Sequence, residues 1–184
     1  MSYCFTAIDF ETTGLNPYSD RITEIAALRY RRGRIVAEFV TLIDPQRNIP
    51  EFLERKIGIT NDMVRGRPII EDKIEELCEF LGDDLLVAHN TKFDLGFLNA
   101  NVERVLGKTI GNETVCTLDL AGRNIENLGS YALQSVCDYL GIHRDKAHRA
   151  KDDAMAAAEL YMRIMREKKA GRVPIVRLEQ AVSF

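Results

Sequence analysis

Tryptophan is absent from the 184 residues, and histidine occurs only as His89, His143 and His148, so any imidazole chemistry falls to one of these three. The four cysteines, Cys4, Cys78, Cys116 and Cys137, are far apart, with no C-x-x-C and no His/Cys cluster. Neither a zinc ribbon nor a disulfide framework is expected, and a reducing cytoplasm fits this usage. No stretch approaches about 18 uninterrupted apolar residues, and MSYCFTAIDFETTG has no basic leader before an apolar run, so membrane spanning and export are not expected. A surplus of positive charge is also missing. Lys and Arg number 25 against 28 Asp and Glu, a net charge of -3, which excludes gripping nucleic acid by overall charge but leaves room for a local basic face. Linkers rich in Gly, Ser or Pro are lacking, as are internal repeats.

What is present is a globular composition, 46% apolar and 29% charged, enough to build one core with a short appendage. The run Y-C-F-T-A-I-D reads as a buried strand that delivers Asp9 and Glu11 to its C-terminal end, before a T-T-G turn. I-T-E-I-A-A-L-R-Y-R and I-V-A-E-F-V-T-L-I read as two more strands with a tight turn at Arg32-Gly33-Arg34, an antiparallel start of three strands. A brief helical piece is expected around Glu51 to Ile57, and Thr60 can cap another. Helical spacing of apolar residues then predicts a helix over Ile70 to Leu81, followed by a strand over Leu85 to Ala88 and a helix carrying Asp94 near its start. Glu113 to Thr117 reads as a strand, Leu128 to Leu140 as a helix, and Asp152 to Lys168 as a long helix with the stripe Met155, Ala158, Tyr161, Met162 and Met165. Strands followed by βα alternation predict one α/β domain around a mixed sheet, over residues 1–170. The tail Gly171 to Phe184 is either a docked extra strand or a partner-binding appendage.

The first chemical feature is Asp9-Phe10-Glu11. Residues two apart in a strand face the same way, so both carboxylates point past the strand end, where open α/β sheets bind ligands. Acidic pairs of this spacing arise by chance several times in a chain with 28 acids, so context has to carry the reading. Here two like charges end a hydrophobic strand, and cations or protonation must relieve their repulsion. Hard oxygen donors of this kind suit Mg²⁺ or Mn²⁺. Asp94 after Ala88-His89-Asn90 and Asp153 after His148 are the further acids. H-x-x-x-x-D occurs twice, as His89/Asp94 and His148/Asp153, so spacing alone cannot identify a base. Their flanks favour His148, which sits among Arg144, Lys146, Arg149 and Lys151, whereas His89 ends an apolar strand and suits a structural role. His143 is expected at the surface.

Four ordered blocks, F-T-A-I-D-F-E-T-T-G-L from Phe5, G-I-T-N-D-M-V from Gly58, A-H-N-T-K-F-D from Ala88 and H-R-A-K-D-D-A from His148, resemble the DnaQ-like 3'–5' exonucleases of the DEDDh group. That family contains the proofreading subunits of bacterial replicative polymerases, RNase T and oligoribonuclease, and the resemblance runs from about residue 5 to 168. It implies a ribonuclease H-like fold, a mixed five-stranded β-sheet flanked by α-helices. It further implies Asp9, Glu11, Asp94 and Asp153 as ligands of two Mg²⁺ (or Mn²⁺) ions and His148 as general base. Thr12, Thr13 and Leu15 would lie beside the terminal nucleotide, Thr60 to Met63 would line the base pocket, and Asn90 and Phe93 would support the substrate site. Two departures are visible: Lys151 stands where relatives often carry an apolar residue, and Asp152 adjoins Asp153 but points elsewhere on a helix.

The reaction so implied is hydrolysis of the 3'-terminal phosphodiester of single-stranded or frayed DNA, releasing nucleoside 5'-monophosphates. The block from Gly58 to Val64 is more similar to the proofreading branch than to the RNA-trimming branches; an exoribonuclease and a non-catalytic scaffold module are the competing readings. The basic stretch around His148, with Arg149 and Lys151, is the expected phosphate face, and the cluster Arg29, Arg31, Arg32 and Arg34 is expected at a remote hairpin. A DNA polymerase subunit, RNA or a second copy of the chain are the further partners considered.

Overall fold

The computed structural model describes residues 4–144 and 148–175. Strands β1 (Cys4–Thr12), β2 (Ile22–Arg31), β3 (Arg34–Leu42), β4 (Leu86–Ala88) and β5 (Thr114–Cys116) form one sheet in the order β3-β2-β1-β4-β5. β1 and β3 flank β2 antiparallel, while β4 pairs parallel with β1 and with β5. The fold is therefore the mixed five-stranded α/β sheet of the ribonuclease H type, with β1 central. Between β2 and β3 the chain reverses in two residues, Arg32 and Gly33, both at positive φ, the backbone that continues strand twist through a hairpin.

Helices α1 (Glu51–Ile57), α2 (Asn61–Val64), α3 (Ile74–Leu81), α4 (Thr91–Leu106), α5 (Thr117–Asn124), α6 (Leu133–Leu140) and α7 (Ala150–Lys169) surround the sheet. Side-chain alternation along β1 divides the core. Ile8 and Phe10 pack with Leu77 and Leu81 of α3 and with Phe97, Leu98 and Val102 of α4. Phe5 and Ala7 face the other way, against Ala150, Ala154, Ala158 and Tyr161 of α7. The alanines recur every four residues, so α7 presents a narrow face and lies close on the sheet. Asp9 and Glu11 have the parity of Phe5 and Ala7 and so continue toward the first turn of α7.

Several expectations need correction. The stretch 70–81 is not one helix: a 3-10 turn at Ile70–Asp72 precedes α3. The helix expected over Leu128 to Leu140 begins only at Leu133, because the preceding residues, with Gly129 and Ser130, form an irregular connection. Helix α5 was not foreseen; it is only eight residues long, contains Gly122 and has few apolar side chains. Met155 lies outside the buried stripe, at 40% exposure. Of the tail, Ile175 forms a parallel bridge with Ile125 and its N–H donates to the Asn124 carbonyl at 2.7 Å; residues 176–184 lie outside the described residues. Among the described residues no helix is long and apolar enough to cross a membrane.

Candidate active site

The carboxylates meet at the C-terminal end of β1. Asp9 and Glu11 come from the strand, Asp94 from the first turn of α4, and Asp153 from the first turn of α7. Asp94 is 2% exposed and is aimed by the backbone: the Phe10 N–H donates to its Oδ1 at 3.1 Å, which ties α4 to the C-terminal part of β1, between Asp9 and Glu11. Asp153 is buried and Asp152 half-exposed, as adjacent helical positions require.

His148, Glu11 and Asp153 converge, each offering a ligand atom within 4.8 Å of the others. His148 is exposed, has a left-handed backbone (φ 61), and its N–H reaches Asp153 Oδ2 at 3.3 Å. His89 is placed very differently. Its Nδ1 lies 3.0 Å from Thr117 Oγ1 and its Nε2 3.0 Å from the Tyr131 carbonyl, which can only accept, so both ring nitrogens are engaged in the fold. Burial pushes its pKa down to about 4, so the ring is neutral at physiological pH. His143 is at the surface.

The electrostatics are those of a site built for cations. Burial, then Asp94, Glu11, Asp153 and Glu24, push the Asp9 pKa well above the usual carboxylate range. Glu11 is pushed up to about 8 by burial and by Asp153 and Glu24, against the pull of Lys56 and Arg149. Burial also raises Asp94, opposed by backbone N–H groups, and Asp153, opposed by Arg144 and His148. Four acids each made reluctant to ionise first by burial, with hard oxygen donors and an imidazole alongside, fit divalent Mg²⁺ or Mn²⁺. The residues present therefore fit a metal centre.

Sequence reasoning overlooked Glu24. It stands directly opposite Glu11 in the β1–β2 register, is 2% exposed, and holds Arg149 through Nε at 3.1 and 3.2 Å and Nη2 at 2.5 Å, while its Oε2 accepts the Ala150 N–H at 2.9 Å. An acid inside the otherwise apolar run of β2 was the available signal. Arg149, expected on the phosphate face, is thus spent on anchoring the start of α7. Lys151 pairs with Glu38 at 2.6 Å near the surface. Lys146 lies outside the described residues. Arg29 and Arg31 of the other basic cluster both bind Asp84.

The loop after β1 is rigidly built. Thr12 Oγ1 donates to the Gly14 carbonyl at 2.5 Å, and Thr13 Oγ1 accepts the Arg21 N–H at 3.0 Å. A Cβ on Gly14 would fall 2.3 Å from Asp20 Oδ2, so any other residue there requires the Asp20 side chain to move. Leu15 is left 84% exposed at the loop tip, beside the carboxylates in sequence but not buried by anything in the protein. Thr60 caps α2 through the Met63 N–H, with Met63 half-buried. Asn90 is exposed with φ 68, immediately before α4, and Phe93 packs its ring 5.0 Å from that of Phe97. A surface cavity of about 630 Å³ between the β2–β3 turn and α6–α7 includes none of these residues.

The RNase T-type exonuclease family model matches residues 6–161. The DNA polymerase III subunit epsilon of Aquifex aeolicus (strain VF5) is 36% identical over 163 residues, which are 89% of this chain and 81% of the relative. A PolC-type DNA polymerase III of Clostridium perfringens (strain 13 / Type A) is 40% identical over 156 residues, 85% of this chain but only 11% of that protein. Among solved structures, exonuclease X in complex with 5' overhanging duplex DNA superposes with a TM-score of 0.69 at 30% identity, covering 90% of this chain and 93% of that one. With its sheet topology, its convergent acids and these relatives, the chain belongs to the DnaQ-like, DEDDh family of 3'–5' exonucleases.

Proposed function

We propose that this chain hydrolyses the 3'-terminal phosphodiester of single-stranded or frayed DNA with two divalent ions, releasing nucleoside 5'-monophosphates. The observation that carries the reading is the convergence of Glu11, His148 and Asp153 within 4.8 Å at the strand end that also bears Asp9 and faces Asp94. Asp9, Glu11 and Asp153 are suited to hold one ion, and Asp9 with Asp94 the second. Bound ions would supply Lewis acidity toward the phosphoryl group and a lowered pKa for water. His148, exposed and next to two acids, accepts the proton of the attacking water at an imidazole nitrogen; His89 has no nitrogen to spare for that task. Leu15 offers an apolar surface for the terminal base, and Thr12 and Thr13 hold the loop that presents it.

The DNA preference is supported by the relatives, a subunit epsilon of DNA polymerase III and a PolC-type DNA polymerase III, and by the DNA-bound exonuclease X. Association with a polymerase is proposed on the same ground. Lys151 is the better candidate for a phosphate contact than Arg149, because its surface pair with Glu38 exchanges at little cost whereas Arg149 is committed to a buried acid.

The test is digestion of 5'-labelled single-stranded DNA and matched RNA in Mg²⁺, Mn²⁺ and EDTA, beside D9A. Stepwise shortening with mononucleotide release, lost in EDTA and in D9A, is the expected result, and the faster strand decides DNA against RNA. Oligonucleotide binding without shortening would leave a scaffold module instead.

A further inference from the structure

Asp153 differs from its three partner acids in what already holds it. Among the described residues no hydrogen bond reaches the carboxylates of Asp9 and Glu11, and Asp94 accepts only backbone N–H groups. Asp153 instead carries a guanidinium: Arg144 Nη1 lies 2.6 Å from its Oδ1, with side chains 6% and 10% exposed. Its Oδ2 takes the His148 N–H at 3.3 Å, so each oxygen already accepts a hydrogen bond. Arg144 is braced from behind by Gln134 of α6, and Asp153 is its one ion-pair partner among the described residues.

A carboxylate that a divalent ion must share is thus already neutralised by a buried univalent cation. We propose that Arg144 is a built-in counter-cation of the metal centre: it neutralises Asp153 while the metal is away and surrenders Oδ1 when the ion binds. The inference rests on the four acids being the metal site. Its physical basis is simple. A buried acid cluster without a cation repels itself, and Arg144 offsets part of that repulsion. Two cations on one oxygen in a poorly screened site also repel, so the ion's binding free energy is reduced by the loss of the Arg144 bond. Arg144 would therefore set how much metal the enzyme needs.

The experiment is calorimetric titration of the full chain with Mn²⁺, together with thermal unfolding in EDTA, for the native protein, R144M and R144K. R144M is expected to bind Mn²⁺ on the order of tenfold tighter, the scale on which groups contacting metal ligands act, and to unfold at lower temperature in EDTA. R144K, which keeps the charge but not the planar fork, should fall between. Unchanged or weaker Mn²⁺ binding by R144M overturns the proposal, because Arg144 would then only orient Asp153 for the ion. Should R144M not fold, ¹⁵N spectra of the native guanidinium during Mg²⁺ titration decide: loss of the Asp153-bonded signal is expected, and its persistence at saturation overturns the idea. Absence of Mn²⁺ binding by the native protein would instead overturn the metal site itself.

Discussion

Arg149, the residue next to His148, closes a buried ion pair with Glu24, which stands directly across the sheet from Glu11. Two acids directly opposed on one face of a sheet repel, and the guanidinium cancels one of them. The same contact fixes the first residue of α7, since Glu24 also accepts the Ala150 N–H. R149M should therefore destabilise the fold by about 2–4 kcal/mol, somewhat below a fully buried pair because the Arg149 side chain keeps 30% exposure. Urea unfolding measures it, and R149K should recover part of the loss. A change below about 0.5 kcal/mol would place Arg149 among ordinary surface pairs.

The pH dependence of the metal-free protein has a sign opposite to that of common acid denaturation. A carboxyl whose pKa is raised by folding binds its proton more firmly in the folded state, so stability is present below its unfolded pKa and is lost as pH rises toward the folded value. For Glu11 that window runs from 4.5 to about 8, with Asp9, Asp94 and Asp153 displaced in the same direction. His89 acts oppositely: its pKa falls from 6.5 to about 4, so its contribution is lost as pH falls through that range. Of these groups, only the carboxylates still change protonation between pH 6.5 and 8. In EDTA the melting temperature should fall across that interval, by the equivalent of a few kcal/mol at most, and saturating Mg²⁺ should flatten the curve. D9N should melt higher than the native protein in EDTA at pH 8 while losing the Mg²⁺ response. A melting temperature that rises from pH 6.5 to 8 without metal would contradict the repulsive cluster.

The two histidines separate chemistry from structure. H148A, at an exposed position, should leave stability within about 0.5 kcal/mol of native and lower kcat by roughly 10²–10⁴, the range of a lost general base. H89A should do the reverse: a loss of about 1–3 kcal/mol from the unpaired Thr117 and Tyr131 groups, with metal-dependent turnover retained at low temperature. Denaturation and single-turnover assays on both variants decide. A stable but inactive H89A with an active H148A would exchange the roles.

Much of this was legible in one sequence. The apolar run of β1, the two-residue spacing of Asp9 and Glu11, the Thr60 cap and the turn at Arg32-Gly33 are local signals, set by strand alternation, capping and positive φ, and they reappear in the structure. The elements that were misplaced are short or broken by glycine: α5 has eight residues with Gly122 among them, and the start of α6 is displaced by Gly129 and Ser130. Helix α7 starts at Ala150, before the expected Asp152, because a carboxylate 126 residues earlier receives its first N–H.

The sequence by itself determined the chemical inventory: which acids end which elements, and which two histidines compete for one role. Only the tertiary structure decided who meets whom. His89 and His148 share the same spacing to an acid, yet one is locked between Thr117 and Tyr131 and the other stands open beside Glu11 and Asp153. Arg149 and Arg144 read alike as basic residues around a histidine, and folding commits them to buried Glu24 and Asp153. The physical reason is that ion pairing and burial depend on distance in space, and no local periodicity encodes contacts between residues brought together from β1, β2, α4 and α7.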